Sequence, residues 1–101
     1  MLQFIDEDGN INYRNSRAIR KKILDEHSGM QVTDENGNID INATNASVAE
    51  YLKDRWGETL KANNSDINTD EDVIKLLNDY LGSDEKARAE AEEKILGIAK
   101  A

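Results

Sequence analysis

Apolar and polar residues alternate in two short stretches of the chain, each interrupted by a turn dipeptide, Asp8-Gly9 or Asn36-Gly37. These dipeptides accept the positive φ that both central positions of a type I′ turn require, and alternation with a period of two is typical of a half-covered antiparallel strand. The pattern therefore predicts two β-hairpins, each with one apolar face. The predicted apolar positions are Leu2, Phe4, Ile11 and Tyr13 in the first hairpin, and Met30, Val32, Ile39 and Ile41 in the second.

After each hairpin, apolar residues recur at helical spacing. Ser16 is the predicted N-cap of a helix that ends near His27, and Thr44 or Asn45 is the predicted N-cap of a second helix that ends near residue 60. A tryptophan at four-residue spacing from other apolar residues is expected in the core. The predicted buried stripes are Ala18, Ile19, Ile23 and Leu24 in the first helix, and Val48, Leu52 and Trp56 in the second.

Two further helices are predicted in the last third of the chain. Thr69, followed three residues later by Asp72, resembles a capping box, and Gly82 is the predicted stop of the helix that it opens. Ser83 is then the predicted N-cap of a final helix rich in alanine, glutamate and lysine. The inward positions are Val73, Ile74, Leu77, Tyr80 and Leu81 in one helix, and Ala91, Ile95 and Ile98 in the other.

The two hairpin-plus-helix stretches are related by a repeat of 28 residues. Residues 6–11 read Asp-Glu-Asp-Gly-Asn-Ile, and residues 34–39 read Asp-Glu-Asn-Gly-Asn-Ile. Identities continue at the same offset, without a gap, in the pairs Ala18–Ala46, Leu24–Leu52 and Gly29–Gly57. Identities over a whole unit indicate duplication. The region 58–69 is open to two interpretations, a degenerate third copy or a plain loop.

The fold predicted from these elements is α+β. Two tandem hairpin-plus-helix units, 1–29 and 30–60, would form a small antiparallel sheet packed on helices, and a helical pair over 69–99 would complete a single domain of residues 1–101. Such a sheet has open edges, so the sequence leaves a homodimer open.

Composition narrows the cellular setting. Hydrophobic residues make up 38% and charged residues 34%, which is within the range of globular proteins. The chain has no cysteine, which fits a reducing compartment and excludes disulfides and thiolate chemistry. No apolar run approaches the roughly 18 residues that a membrane span needs. We therefore expect a cytoplasmic protein without a membrane partner.

The charges are unevenly distributed along a chain of net charge −8. The negative electrostatic field of such a protein repels nucleic acid and anionic lipid and attracts basic proteins. The predicted partner-binding acids are Asp66, Asp70, Glu71, Asp72, Asp79, Asp84 and Glu85. One basic stretch without acids is the alternative binding surface, formed by Arg14, Arg17, Arg20, Lys21 and Lys22.

Motifs that would carry catalysis or hold a cofactor are missing from the sequence. The two Asp-rich turns resemble EF-hand loops, but if Gly9 or Gly37 takes position six, Asn15 or Ala43 falls at position twelve, where a bidentate glutamate is needed. His27 is the only histidine and falls at a predicted helix end, where a capping or surface role is usual. The sequence predicts a protein that is not an enzyme and carries no metal or cofactor.

Three functional hypotheses remain. The first is an acidic, non-catalytic factor that occupies a basic, nucleic-acid-binding surface of a partner protein, by analogy with inhibitors made by phages and other mobile elements, including mimics of DNA. The second is a structural protein that assembles through its hairpins. The third is a binder of a small ligand or nucleic acid on the basic helix, although the overall charge disfavours direct nucleic-acid binding.

Overall fold

A computed structural model describes residues 15–100 of the protein, with side chains described from 15 to 96. Four α-helices account for most of this range: α1 (Ser16–Glu26), α2 (Ile41–Asn63), α3 (Asp70–Leu81) and α4 (Glu85–Lys100), with a short 3₁₀ turn (Ser28–Met30) after α1. The only β interaction within the described range is one antiparallel bridge between Thr33 and Ile39. The predicted α+β fold is therefore wrong, and the described part of the chain is all-helical. The predicted first hairpin lies outside the described residues.

The predicted second hairpin is reduced to a tight turn with a different register. Only Gly37 has a positive φ (83°), whereas a type I′ turn also needs one at Asn36. The backbone N–H of Gly37 donates to the carbonyl of Asp34 (3.0 Å), and the Asp34 carboxylate accepts from the backbone N–H groups of Asn36 and Asn38. The loop therefore contains one more residue than predicted, and such a slip exchanges the two faces of a hairpin.

Only one side of the turn meets the core: Met30 and Val32 are half-buried, and Met30 packs against the core. Ile39 and Ile41, both predicted inward, are 51% and 54% exposed. Helix α2 begins at Ile41 because the Asp40 carboxylate accepts a hydrogen bond from the backbone N–H of Ala43 (3.0 Å). An N-cap four or five residues earlier than predicted thus converts the second strand into the first turn of a helix.

The sequence repeat does not produce a structural repeat in the described range. Gly29 lies in the 3₁₀ turn after α1, whereas its counterpart Gly57 is buried inside α2. Leu52 is fully buried, but its counterpart Leu24 is only half-buried at the edge of the core. Helix α2 is about twice as long as α1. It extends into the region 58–69, proposed as a third hairpin or a loop, and ends there at Asn63; a loop follows up to Thr69.

The core lies between α2, α3 and α4, and α1 packs against this group. Trp56 is 4% exposed and meets Tyr80 edge-on, with ring centroids 6.2 Å apart, which confirms the predicted core position of the tryptophan. The largest fully buried side chains include Tyr80, Ile19, Ile23, Leu52, Leu60, Leu77 and Ile95. No helix in the described range is long and apolar enough to cross a membrane.

Local capping explains where the helices begin and end. The capping box at Thr69 and Asp72 is present, and Gly82 ends α3, as predicted. The caps of α1 and α4 lie next to the predicted residues: Asn15 in place of Ser16 for α1, and Asp84 in place of Ser83 for α4. Each true cap is an Asx residue whose side-chain oxygen accepts from a backbone N–H two or three positions later.

Thr44 and Asn45, the predicted caps of α2, are instead buried side chains inside the helix. The Thr44 hydroxyl accepts from the backbone N–H of Val32 (2.9 Å) and donates to the carbonyl of the same residue (3.3 Å). It therefore ties the turn between α1 and α2 to the helix. Asn45 makes the corresponding link to the end of α3, described below.

Replacing Gly57 with alanine is expected to stabilise the protein. A Cβ atom there would lie 3.7 Å from Lys53 Cγ and 3.8 Å from Val73 Cγ1, which are ordinary contacts. Alanine in a helix interior is more stable than glycine by about 0.5–1 kcal/mol. Chemical denaturation should show this gain. In contrast, Gly37→Ala should lower the free energy of unfolding by about 1–2 kcal/mol, because Gly37 has a φ of +83°. If Gly57→Ala destabilises the protein instead, then α2 and α3 pack more closely than these distances indicate.

Candidate functional site

The seven predicted partner-binding acids surround α3. Asp70, Glu71 and Asp72 form its first turn, where negative charge interacts favourably with the helix dipole. Asp79 lies in its last turn, and Asp66 lies in the loop before it. Asp84 and Glu85 lie beyond its end, at the start of α4. The structure therefore brings five of the seven onto or beside α3 and leaves two at the α3–α4 connection.

Five of these acids already have partners within the protein. Lys94 contacts Asp66, Lys61 Nζ lies 2.6 Å from Asp70 Oδ1, and Lys75 Nζ lies 3.9 Å from Asp79 Oδ2. The Asp72 carboxylate accepts from the backbone N–H groups of Asn68 and Thr69, and the Asp84 carboxylate caps α4. Glu71 and Glu85 are exposed and make no ion pair or hydrogen bond with the described residues.

These interactions lower the pKa of three aspartates from the ordinary value. Backbone N–H groups of Asn68 and then Thr69 lower the pKa of Asp72. The hydrogen bond from Lys94 lowers the pKa of Asp66. The hydrogen bond from Lys61 lowers the pKa of Asp70. All three carboxylates are therefore held in the charged form.

The lowered values predict a loss of stability in acid. A carboxylate with a lowered native pKa stabilises the fold fully above its unfolded pKa, about 3.9, and loses that effect as the pH falls through the native value. The difference in free energy of unfolding between the native protein and Asp72→Asn should therefore shrink below about pH 4. Denaturation over a pH series measures this difference. A difference that stays constant from about pH 7 to about pH 3 would contradict the role given to Asp72.

An open groove, here called the α2–α3 groove, runs along one side of α3. Its lining includes the half-buried side chain of Ile74 and the amide of Asn78. Four carboxylates and two lysines surround them: Glu50, Asp70, Glu71, Asp79, Lys53 and Lys75. The groove has a volume of about 580 Å³, large enough for side chains of another molecule. It combines an apolar strip with an excess of negative charge.

A smaller cleft of about 180 Å³ lies next to the groove on α3, toward α4, and shares Lys75 and Asp79 with it. Lys94 and Asp66 close one part of it by their ion pair, and Asp72 is engaged in the capping box. The cleft therefore holds charges that already neutralise or satisfy one another, and it offers less to a partner than the α2–α3 groove.

The basic residues predicted as an alternative binding surface do not form a single surface in the described part of the chain. Lys21 pairs with Asp25 on the exposed side of α1, with a distance of 2.9 Å, and Lys22 is half-buried. Arg14 lies outside the described residues. Arg17 and Arg20 remain together and line a cavity of about 300 Å³, here called the arginine cavity. The rest of its lining is Ile41, Asn42, Asn45, Leu81, Gly82 and Ser83.

Two buried hydrogen-bond partners fix one of these arginines. Nη1 of Arg20 donates to Asn45 Oδ1 (2.9 Å) and to the Leu81 carbonyl (3.3 Å), and Asn45 Nδ2 donates to the same carbonyl (3.3 Å). Arg20 thus joins α1, α2 and the C-terminal end of α3, where a cation interacts favourably with the helix dipole. Burial and, secondly, the proximity of Arg17 lower the pKa of Arg20 from its ordinary value.

The single histidine and the carboxylates form no metal site among the described residues. His27 is the C-cap of α1, as predicted, and its ring lies 5.0 Å from that of Tyr51, over which the Arg55 guanidinium stacks at 3.6 Å. This is a surface aromatic cluster with a cation–π contact. Across residues 15–100, no three histidine or carboxylate side chains come together as a metal site would require.

Sequence reasoning missed two contributors to these surfaces. Asn45 reads as a helix cap in the sequence, and its pairing with Arg20, 25 positions away, has no local signal. Glu50 and Lys53 on α2 were not predicted to meet the acids of α3. Their spacing of three residues on one helix face was the available signal, because it places both on the side that faces α3.

Comparison with protein-family models, with curated proteins and with solved structures gives no match. The analogy with inhibitors of mobile elements therefore gains no support from relatives. The interpretation of function rests on the geometry of the α2–α3 groove and the arginine cavity alone.

Proposed function

We propose that the protein is a non-catalytic binding module that holds a basic segment of a partner protein in the α2–α3 groove. The observation that carries the proposal is the half-buried apolar side chain of Ile74, bordered by four carboxylates and only two lysines. Apolar contact provides affinity, and the surrounding charge selects a cationic partner and accelerates its association. A lysine- or arginine-containing amphipathic helix has the complementary chemistry.

The ion pairs at the groove leave negative charge available to a partner. Lys53 Nζ lies 3.4 Å from Glu50 and 3.8 Å from Asp54, so one cation faces two carboxylates. The contact between Lys75 and Asp79 is long (3.9 Å), and the Lys75 side chain is 83% exposed. Exposed pairs of this kind contribute little and open readily. Glu71 adds a carboxylate without a partner in the described range.

The DNA-mimic form of the first hypothesis and the assembly hypothesis have less support than this proposal. A DNA mimic needs a regular row of available charges, whereas four of the seven predicted acids are held in close ion pairs or helix caps: Asp66, Asp70, Asp72 and Asp84. Assembly through hairpins needs sheet edges, and the second hairpin is a single-bridge turn. The proposal therefore keeps the acidic, partner-binding interpretation and places it at α2 and α3.

A synthetic amphipathic helix of leucine and lysine is a direct probe of the groove. In a titration followed by NMR, we expect shifts to concentrate at the amides of Lys53, Ile74 and Asn78. Affinity should fall steeply between roughly 0.02 M and 0.2 M salt, because the Debye length shortens about threefold. Ile74→Glu should weaken binding on the order of tenfold, as for a central interface residue, and Glu71→Gln by about two- to fivefold.

Glu90→Gln is the matched control, because Glu90 is an exposed glutamate on α4 outside the groove. It removes the same charge and should leave the affinity nearly unchanged. Shifts spread evenly over the acidic surface, or an equal loss with Glu90→Gln and Glu71→Gln, would show that the peptide senses net charge only and would refute a defined site.

A further inference from the structure

The arginine cavity lies where α1, the start of α2 and the end of α3 meet, on a part of the molecule that the α2–α3 groove does not use. Arg17 comes from the first turn of α1, Asn42 from the first turn of α2, and Ser83 from the segment between α3 and α4. The cavity is open to solvent and has a volume of about 300 Å³. Its polar lining is cationic or neutral and contains no carboxylate among the described residues.

Its two arginines differ in how firmly they are held. Arg20 is half-buried, and its Nη1 is fixed by Asn45 and the Leu81 carbonyl. Its position is therefore set before a ligand arrives, which reduces the entropy lost on binding. Arg17 is exposed and forms no ion pair with a described residue. One guanidinium is thus preorganised, and the second is available to close on a ligand.

The electrostatics of the cavity are opposite to those of the protein as a whole. The pKa of Arg20 is lowered by burial and by Arg17, and no described carboxylate acts on it in the other direction. Two like charges that are close together and lack a described counter-ion favour an anion between them. Guanidinium groups bind carboxylate and phosphate through paired N–H donors, which makes arginine suited to this role.

We propose that the arginine cavity binds an oxyanion, a carboxylate or phosphate group, between Arg17 and Arg20, with Asn42 and Ser83 as additional hydrogen-bond donors. Ile41, which is 54% exposed at the rim, provides an apolar contact for a carbon chain attached to the anion. This site is independent of the proposed function of the α2–α3 groove, and either can fail without the other.

Titration of the protein of residues 1–101 with sodium hexanoate and, separately, with inorganic phosphate tests the proposal. Sodium chloride keeps the ionic strength constant. We expect saturable NMR shifts at the amides of Arg17, Asn42 and Ser83 with at least one of the anions. Tighter binding of hexanoate identifies a carboxylate ligand with an apolar chain, and tighter binding of phosphate identifies a phosphate ligand. Absence of saturable shifts with both anions overturns the proposal.

Charge variants distinguish anion binding in the arginine cavity from a general electrostatic attraction by positive charge on α1. Arg17→Ala should weaken anion binding at least tenfold, in line with the loss of a charge-assisted pair. Lys21→Ala removes one positive charge from the same helix outside the cavity, where the lysine side chain is 77% exposed, and should leave the affinity unchanged. Arg20→Lys keeps the charge but loses the fork of donors, and it should also weaken binding. Equal losses with Arg17→Ala and Lys21→Ala would overturn the site.

Discussion

Replacing Leu77 with alanine is expected to lower the free energy of unfolding by about 2–5 kcal/mol. Leu77 is fully buried in the core between α3 and its neighbours, and truncation removes apolar contacts and leaves a cavity that the surrounding side chains fill only in part. Denaturation by urea, followed by far-ultraviolet circular dichroism, measures the change. The loss should appear as a lower urea concentration at the unfolding midpoint, with an unchanged dependence of the free energy of unfolding on urea concentration.

Ile39→Ala and Ile41→Ala are the matched controls for this truncation. Both residues are about half-exposed, and each substitution should cost less than about 1 kcal/mol. The contrast also tests the architecture, because a hairpin with its apolar face inward would bury both residues. A loss at Ile39 comparable with that at Leu77 would contradict the helical arrangement of residues 41–63 and restore the hairpin.

The sequence predicts α3 and its surroundings well because the signals there are local and mutually consistent. A capping box, an apolar stripe and a stop residue lie within fourteen positions, and the structure contains the capping box at Thr69–Asp72 and the stop at Gly82. Of the predicted stripe, Val73, Leu77, Tyr80 and Leu81 are buried, whereas Ile74 is half-buried and lines the α2–α3 groove. The core position of Trp56 follows from the same helical spacing. Nothing distant competes with these preferences.

The predicted second hairpin does not form, and the alternation of apolar and polar residues does not reveal the physical reason. Alternation over five residues on each side of Asn36-Gly37 is compatible with a strand, but it also accommodates a helix start. Asp40 caps α2 at Ala43, and the earlier start places Thr44 and Asn45 inside the helix, where they bond to Val32 and Arg20. A two-stranded hairpin is marginal unless a helix or further strands cover it. The longer helix therefore forms in place of the second strand.

The sequence predicts which charges the candidate surfaces carry, but not how these charges are arranged in space. The acidic character around α3 is visible in the sequence, whereas the partners that engage Asp70 and Asp66 lie 9 and 28 positions away. The same limit applies to the divergence between the two repeat copies. Arg17 and Arg20 correspond to Asn45 and Val48, and in the fold Arg20 contacts Asn45 while Val48 is buried.

Replacing Asn45 with alanine is expected to cost about 2–4 kcal/mol, although the side chain is small and polar. Asn45 is 6% exposed, accepts a hydrogen bond from the charged Arg20 and donates one to the Leu81 carbonyl. A hydrogen bond to a charged group contributes about 1.5–3 kcal/mol and a neutral one about 0.5–1.5 kcal/mol. Removal also leaves the buried part of Arg20 with one partner fewer. Chemical denaturation measures the loss.

Two further substitutions decide whether this effect comes from the hydrogen bonds. Asn42→Ala removes an exposed asparagine one turn earlier on α2, which makes no hydrogen bond with the described residues, and should change stability by less than about 0.5 kcal/mol. Asn45→Asp keeps the acceptor for Arg20 and loses only the donor to the Leu81 carbonyl, so it should cost less than Asn45→Ala. If Asn45→Ala is as mild as Asn42→Ala, then Arg20 is not anchored through Asn45, and the preorganisation on which the oxyanion site depends is lost with it.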